Sequence, residues 1–500
     1  MIDEPNVILP LAHSYNERGV QGYTHAVTNS EDQRKVNCMY EPVKNAMTGK
    51  GTLTLSKRPG VTVDAGTYGT SPQTSYLIND SYHLGIVSHA VFNKLGNDSQ
   101  VSVSGVADEV ILSSAVYYPA FVDLTALTNV QNVVVQLRRN DGILTVQRLY
   151  FNTALGVSTS VAWTEITDPE AIGFFHVGKA EHLDGYMFIM SDVNIIWNSD
   201  LNSVANWTIT SFIAKQIRQD FAIGLARLKN QLLAFGRETV EVFYNAGGTT
   251  GSPLGRLAHL HNKIGLVDTA VNGGTHYYCT VGGRLYFVGR RAGGQESIGV
   301  FTFNGSEFEK VSTPYIDKIL SEKTASIYSV NAVGHHGQIG VAICLTAPGA
   351  SPQQSLIFYP DWKEWFEWNS TVFSPVNDRG FHLGVASQNK LYTFDATDNW
   401  QDAGTSYPLS TQFRLPSNGG NRNFMIMYGV DADTDTSAND LTVEFSDNDC
   451  ASFYTVGTID QTRDRKMLFR GGSFRKRHVR LGNTNARPTR IHNFLARIEK

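Results

Sequence analysis

Four cysteines in 500 residues, Cys38, Cys279, Cys344 and Cys450, stand too far apart for the paired spacing of a zinc site and are too few for a disulfide framework. They read as small buried hydrophobic residues in a reducing environment. The first thirty residues have no basic start followed by an apolar core, so no secretory signal is expected and synthesis and retention in a cytoplasm are. Long apolar runs are also missing. The longest apolar region, Val110 to Leu137, is broken by Ser, Pro, Asp, Asn and Gln, which suits consecutive strands better than a membrane helix. There is no G-x-S-x-G elbow, no H-E-x-x-H and no glycine loop ending in Lys-Ser or Lys-Thr, so the familiar hydrolase, zinc-protease and nucleotide-binding signals are absent. Neither a metal nor a cofactor is expected.

What the chain has in quantity is glycine, 45 residues, together with 21 tyrosines and 26 phenylalanines, a balance that favours strands joined by tight turns. Its length exceeds what one hydrophobic core usually holds, so several domains or a repeated architecture is expected. A turn pair followed by an apolar run recurs at "DGYMFIM" (Tyr186), "NQLLAFG" (Leu232), "GRLYFVG" (Leu285), "GQIGVAI" (Ile339) and "NKLYTFD" (Leu391), with steps of 46, 53, 54 and 52 residues. Leu144 heads an earlier copy, and "YHLGIVSHAVFN" is a candidate for one more. A period near fifty with two or more strands per unit is that of β-propeller blades, which bury their faces only by stacking around an axis. A large sandwich with regular hairpins shares the spacing and is the alternative.

The expected fold is therefore all-β, a β-propeller of about five to six blades plus a terminal β-sandwich. Residues 1–65 would supply N-terminal strands that pair with the sandwich, 66–405 the propeller and 406–500 the basic C-terminal sandwich. One helix interrupts this pattern in "STPYIDKILSEKT", where Thr313 is placed to cap, Pro314 takes the first helical position, and Ile316, Ile319 and Leu320 share a face.

Weaker constellations bear on chemistry. His259 with His261 and His335 with His336 lack a third ligand at a diagnostic spacing. Asp431, Asp433 and Asp435 have the spacing of a calcium loop, but Thr436 stands where its glycine belongs and Thr442 where its bidentate glutamate belongs, so a solvated turn is the better reading. "SDNDCASF", Ser446 to Phe453, resembles the hairpin box of sialidase-type propellers, which is structural and brings no activity. "DWKEWFEW" sets Trp362, Trp365 and Trp368 among Asp361, Glu364 and Glu367, a glycosidase- or lectin-like mixture of rings and paired acids. The better reading is a turn entering a strand, with some of its tryptophans filling a core.

Charge is segregated. From Arg463 to Lys500 the net charge is +10, which leaves −14 on the preceding 462 residues of a chain that totals −4. A basic end on an acidic body suggests contact with nucleic acid or with the body of a neighbouring subunit, a solvated strand face being the plainer alternative. Few aromatics are interleaved, so a base-stacking single-strand site is not expected.

Several segments, taken in order, resemble one family. They are "NCMYEPVKNAMTGKGTLTLSKRPGVTV" with its turn at Lys57, Arg58, Pro59 and Gly60, then "IGLARLKNQLLAFGRETVEVFYNAGG", "KIGLVDTAVNGGTHYYCTVGGRLYFVG", "VSTPYIDKIL", "FRKRHVRLGN" and "IHNFLARIEK". The chain is similar here to the tail-hub or nozzle proteins of short-tailed bacteriophages, also called packaged-DNA stabilisation proteins. That resemblance implies a structural virion protein of the short tail, forming a ring of six copies below the portal and its adaptor, extending the DNA channel and helping to retain the genome until ejection. Its implied partners are further copies of itself, the head-to-tail adaptor, tail fibre, spike or needle proteins and, transiently, viral double-stranded DNA. Arg470, Arg475, Lys476, Arg477, Arg480 and Arg490 are the expected contact residues, with Arg475, Lys476, Arg477 and Arg480 alternating on a strand that faces a subunit, the adaptor or DNA. The alternatives are a phage glycan-hydrolysing or glycan-binding propeller centred on the tryptophan segment, and a host-derived binding module.

Overall fold

A computed structural model describes residues 34–44, 51–63, most of 176–345, 353–374 and 400–499, and the remaining strands by their backbone pairing. Strands provide nearly all the regular structure. Among the described residues, seven successive sheets follow the chain, over 74–102, 110–165, 176–214, 222–256, 264–310, 329–370 and 373–402. The sequence spacing marks five to six repeats, and the strands that carry the marked runs are not all equivalent. The run at Tyr82 lies in the first sheet and Leu144 in the second, but Leu144, Leu285 and Leu391 occupy the third strand of their sheets in chain order, where Tyr186, Leu232 and Ile339 occupy the second. The period survives while the strand it marks slides.

The sheets pack as the amphipathic pattern requires. The middle strand Gln231–Gly236 is buried from Leu232 onward, because neighbours cover both of its faces and it needs no alternation. The outer strand Trp207–Ala214, by contrast, is largely exposed. One apolar cluster joins the third and fourth sheets through Phe188, Met190, Leu225 and Leu232. A second joins the fourth and fifth through Phe235, Val242, Phe287 and Phe301. A third joins the fifth and sixth through Val300, Val341 and Phe358, and takes in Ile316 and Leu320 from the helix Pro314–Glu322. Thr313 caps that helix by accepting from the Ile316 amide, and Pro314 occupies the first turn. The third and fourth sheets meet so closely that a Cβ on Gly178, whose φ is +69°, would lie 2.4 Å from Gly224 Cα.

The seventh sheet does not end with its own strands. After Phe373–Ser374, Phe381–Gly384 and Leu391–Phe394 it takes Val61–Val63 from the other end of the chain, antiparallel with Phe394 opposite Val61. The sixth sheet is extended too. Its last strand, Glu364–Ser370, runs parallel to Arg34–Val36, which pairs in turn with Leu409–Arg414, and the sheet continues through His478–Asn483, Asp440–Ser446 and Tyr454–Asp460 to nine strands.

A separate six-stranded sheet pairs Cys38–Lys44 with Gly51–Lys57, then Arg490–Glu499, Asn423–Ala432 and Met467–Phe474, while Val7–Pro10 lies on Arg490–Glu499. One cluster fills the space between this sheet and the long one, drawing Tyr40 and Leu55 from the N-terminal strands, Phe366 and Trp368 from the sixth sheet, and Phe413, Tyr428, Phe445 and Phe494 from the C-terminal region. Both chain ends thus share a core with the repeat region.

Candidate functional site

The charged groups that sequence made conspicuous are concentrated where the repeat region meets the terminal strands. Val36 pairs with Glu367 on the strand beside it, which brings the neighbouring side chains into register. Arg34 donates from Nε and Nη2 to the two carboxylate oxygens of Glu367 at 2.8 and 2.7 Å, and the Tyr315 hydroxyl donates to the same carboxylate at 3.0 Å. Lys35 Nζ reaches Glu364 Oε2 at 2.8 Å, between the rings of Tyr40 and Phe366. Asn37 has a left-handed φ of +53°, and its side-chain oxygen accepts from Arg58 Nε and from the Asn369 amide.

Arg58 is fully buried and forms a bidentate pair with Asp402, which also accepts from Ser370 Oγ. The Tyr407 ring lies 3.8 Å from the guanidinium carbon, and the Tyr407 hydroxyl donates to the Arg58 carbonyl. Burial alone would lower the Arg58 pKa, but the Asp402 carboxylate outweighs it and holds it above its ordinary value. Lys57 donates to the Asn485 carbonyl at 2.6 Å, and burial, followed by the adjacent Arg58 charge, pulls its ammonium down to about 8. Burial pushes the Cys38 thiol up to about 12. The segment Lys57 to Gly60, expected as the turn of the N-terminal strands, is instead a buried connection. It leaves the six-stranded sheet at Lys57 and enters the seventh repeat sheet at Val61.

These pairs also decide what the tryptophan segment does. Glu364 and Glu367 are both buried and engaged with Lys35, Arg34 and Tyr315, so neither is a free acid or base. Trp368 is buried and donates from Nε1 to the Cys38 carbonyl at 3.1 Å, and Trp365 donates to the Val311 carbonyl at 3.1 Å. Trp362 packs edge-on against Tyr40. The segment is a turn and strand whose rings fill cores. In the hairpin box, Asn448 Oδ1 accepts from Ser446 Oγ and from the Ser452 amide, which ties the loop between two strands. Asp431 accepts from Asn493, and Asp433 lies 3.0 Å from His492, whereas Asp435 and Thr436 lie outside the described residues. His259 sits in the exposed 3-10 turn Ala258–Leu260, and His335 stacks edge-on with Phe394, while His336 lies outside the described residues.

The basic end is rearranged as well. Arg475, Lys476 and Arg477 do not alternate along a strand, because they form the connection between Met467–Phe474 and His478–Asn483. Arg477 is buried, pairs with both oxygens of Asp447 at 2.7 Å and stacks between Phe445 and Phe474. It is therefore removed from any external contact. Arg480 lies on Phe453 and 3.4 Å from Glu444, Arg490 pairs with Glu41 at 2.7 Å, and Lys476 is 3.8 Å from Asp449. Arg463 pairs with Asp460 and Arg497 with Glu499. Much of the +10 is thus neutralised within the subunit, a result that the run of basic letters could not disclose because most of the carboxylates come from earlier strands. Among the described residues, Arg470, Arg475 and Arg487 keep no carboxylate partner.

Residues 91–333, which run from within the first repeat sheet to the first strand of the sixth, match the family model described as bacteriophage P22 Gp10, beta-propeller. Over those residues the chain is similar to the phage-stabilisation propeller family. The successive stacked sheets are accordingly propeller sheets, and the large-sandwich alternative for the repeat region falls away. The match supports a phage structural protein of this class, and no helix among the described residues is long and apolar enough to cross a membrane. No curated protein matches the sequence. Among solved structures it is similar to BamB from Moraxella catarrhalis, at 13% identity over 67% of this chain and 100% of that one, with a TM-score of 0.35. The computationally designed Ika8 protein is similar at 11% identity over 73% and 100%, with a TM-score of 0.34. An exo-beta-1,3-galactanase from Phanerochaete chrysosporium is similar at 10% identity over 87% and 100%, with a TM-score of 0.29. Likeness at this level transfers no activity to this chain.

Proposed function

We propose that the protein is a subunit of the ring-shaped tail hub or nozzle of a short-tailed phage, placed below the portal and adaptor, extending the DNA channel and helping to retain packaged DNA until ejection. The match of residues 91–333 to the phage-stabilisation propeller is the observation that carries this reading. The local architecture suits it. A conduit under pressure from packaged DNA needs stiff walls, and here the sixth sheet runs without a break into the terminal strands, locked by Arg34–Glu367, Lys35–Glu364 and Arg58–Asp402. The function is passive, with no reaction centre, and contact with DNA is weak and transient because an exit channel must release its cargo. Glycan hydrolysis has lost its two best carboxylates to internal pairing.

The test is electron microscopy of the full chain mixed with its portal and adaptor. Closed sixfold rings continuous with the portal axis are expected, each contact burying roughly 2,000 Å² or more as permanent assemblies do. Single subunits throughout, with neighbours supplied, would overturn the reading.

A further inference from the structure

The six-stranded terminal sheet turns one face to the shared core and the other outward. Met425, Tyr428 and Val430 of Asn423–Ala432 point into the core, and Phe424, half exposed, points away from it. On the adjoining strand Leu468 packs against the same core while the next residue, Phe469, is 57% exposed. Ile426 is exposed at the irregularity between them. These aromatics stand beside Arg470 and Arg475, two of the three guanidiniums in the basic end without a carboxylate partner among the described residues. Large exposed rings beside unneutralised arginines are the composition of an interface centre, because rings bury much area at little entropy cost and a guanidinium can make several directed bonds.

The strand Met467–Phe474 is the last of its sheet, yet it is poorly made for pairing with a further strand. Arg470 has φ +68° and Gly472 φ +77°, and the pairing register breaks between Met425 and Met427, so its outer edge is kinked. Side chains, rather than backbone hydrogen bonds, are what this surface offers.

We propose that Phe424, Ile426, Phe469, Arg470 and Arg475 form the surface that docks a second copy of this chain in the ring, against an acidic area of its propeller. This rests on the ring reading above. Charge complementarity supplies the choice of occupant, since the propeller residues 66–405 carry 21 Lys or Arg against 29 Asp or Glu, a net −8, and the patch supplies uncompensated positive charge. A surface of one kind meeting a surface of another is also what a head-to-tail ring requires.

The test uses the full chain with portal and adaptor. A Phe469→Ser, Arg470→Glu double variant should melt at the wild-type temperature, because both side chains lie outside the core, and subunit association should weaken about tenfold or more. Arg470→Glu with Arg475→Glu, which leaves the aromatics untouched, should weaken it too and make assembly more salt-sensitive. Arg487→Glu, the third unpaired guanidinium but outside the aromatic group, should assemble normally. Both variants forming rings at wild-type concentrations would overturn the surface while leaving the ring intact. Normal rings that no longer bind the adaptor would overturn the choice of occupant. A wild type that never forms rings would overturn the ring reading, and this inference with it.

Discussion

Arg58 and Asp402, 344 positions apart in the chain, meet as a buried bidentate pair at 2.8 and 2.6 Å. The pair binds the exit of the N-terminal strands to the seventh sheet. Removing one partner strands the other, so Asp402→Asn should lower unfolding free energy by about 3–5 kcal/mol, read from urea denaturation. Adding Arg58→Met should recover much of the loss. A double variant as unstable as the single one would show that packing, rather than the orphaned charge, is responsible.

Alkaline stability should follow Lys57. Its ordinary pKa of 10.5 is lowered to about 8, so between those values the unfolded chain holds more protons and stability rises with pH. The Cys38 thiol acts in the opposite sense. Raised from 9.0 to about 12, it keeps its proton in the fold, and stability falls as pH rises above 9. The denaturation midpoint should therefore climb between pH 8 and 9 and level off beyond. Lys57→Met should remove the climb.

Glu364→Gln separates the structural from the catalytic reading of the tryptophan segment. It leaves the Lys35 ammonium buried without its counter-charge and should cost about 3–5 kcal/mol, while neither wild type nor variant releases reducing ends from host polysaccharide. Release by the wild type alone would reinstate the enzyme.

Gly178→Ala tests the contact between the third and fourth sheets. Overpacking at 2.4 Å from Gly224 Cα should cost about 1–3 kcal/mol, with a further ~1 kcal/mol for the left-handed φ. Gly337→Ala, also at positive φ but with nothing within 4 Å, should show only the smaller cost in the same thermal melts.

Local features were legible from the residues alone. Thr313, Pro314, Ile316 and Leu320 announce their helix because cap, first turn and buried face all fall within one short window. The runs at Leu232 and Leu285 announce strands because turn residues bound an unbroken apolar stretch. What stayed hidden depends on distance through space. Arg477 looks like its exposed neighbours until Asp447 closes on it, and Glu367 looks catalytic until Arg34 arrives from the far end of the chain. The three residues Val61–Val63 are too short to carry a periodicity, so their place in the last repeat sheet could not be read.

That borrowed strand dictates the order of events during synthesis. Val61 leaves the ribosome early, yet the edge it completes, near Phe394, is translated hundreds of residues later. The seventh sheet therefore cannot be completed as translation proceeds. Its completion is a late event that depends on an almost complete polypeptide, and a product terminated before Leu391 would leave Val61–Val63 without that partner strand.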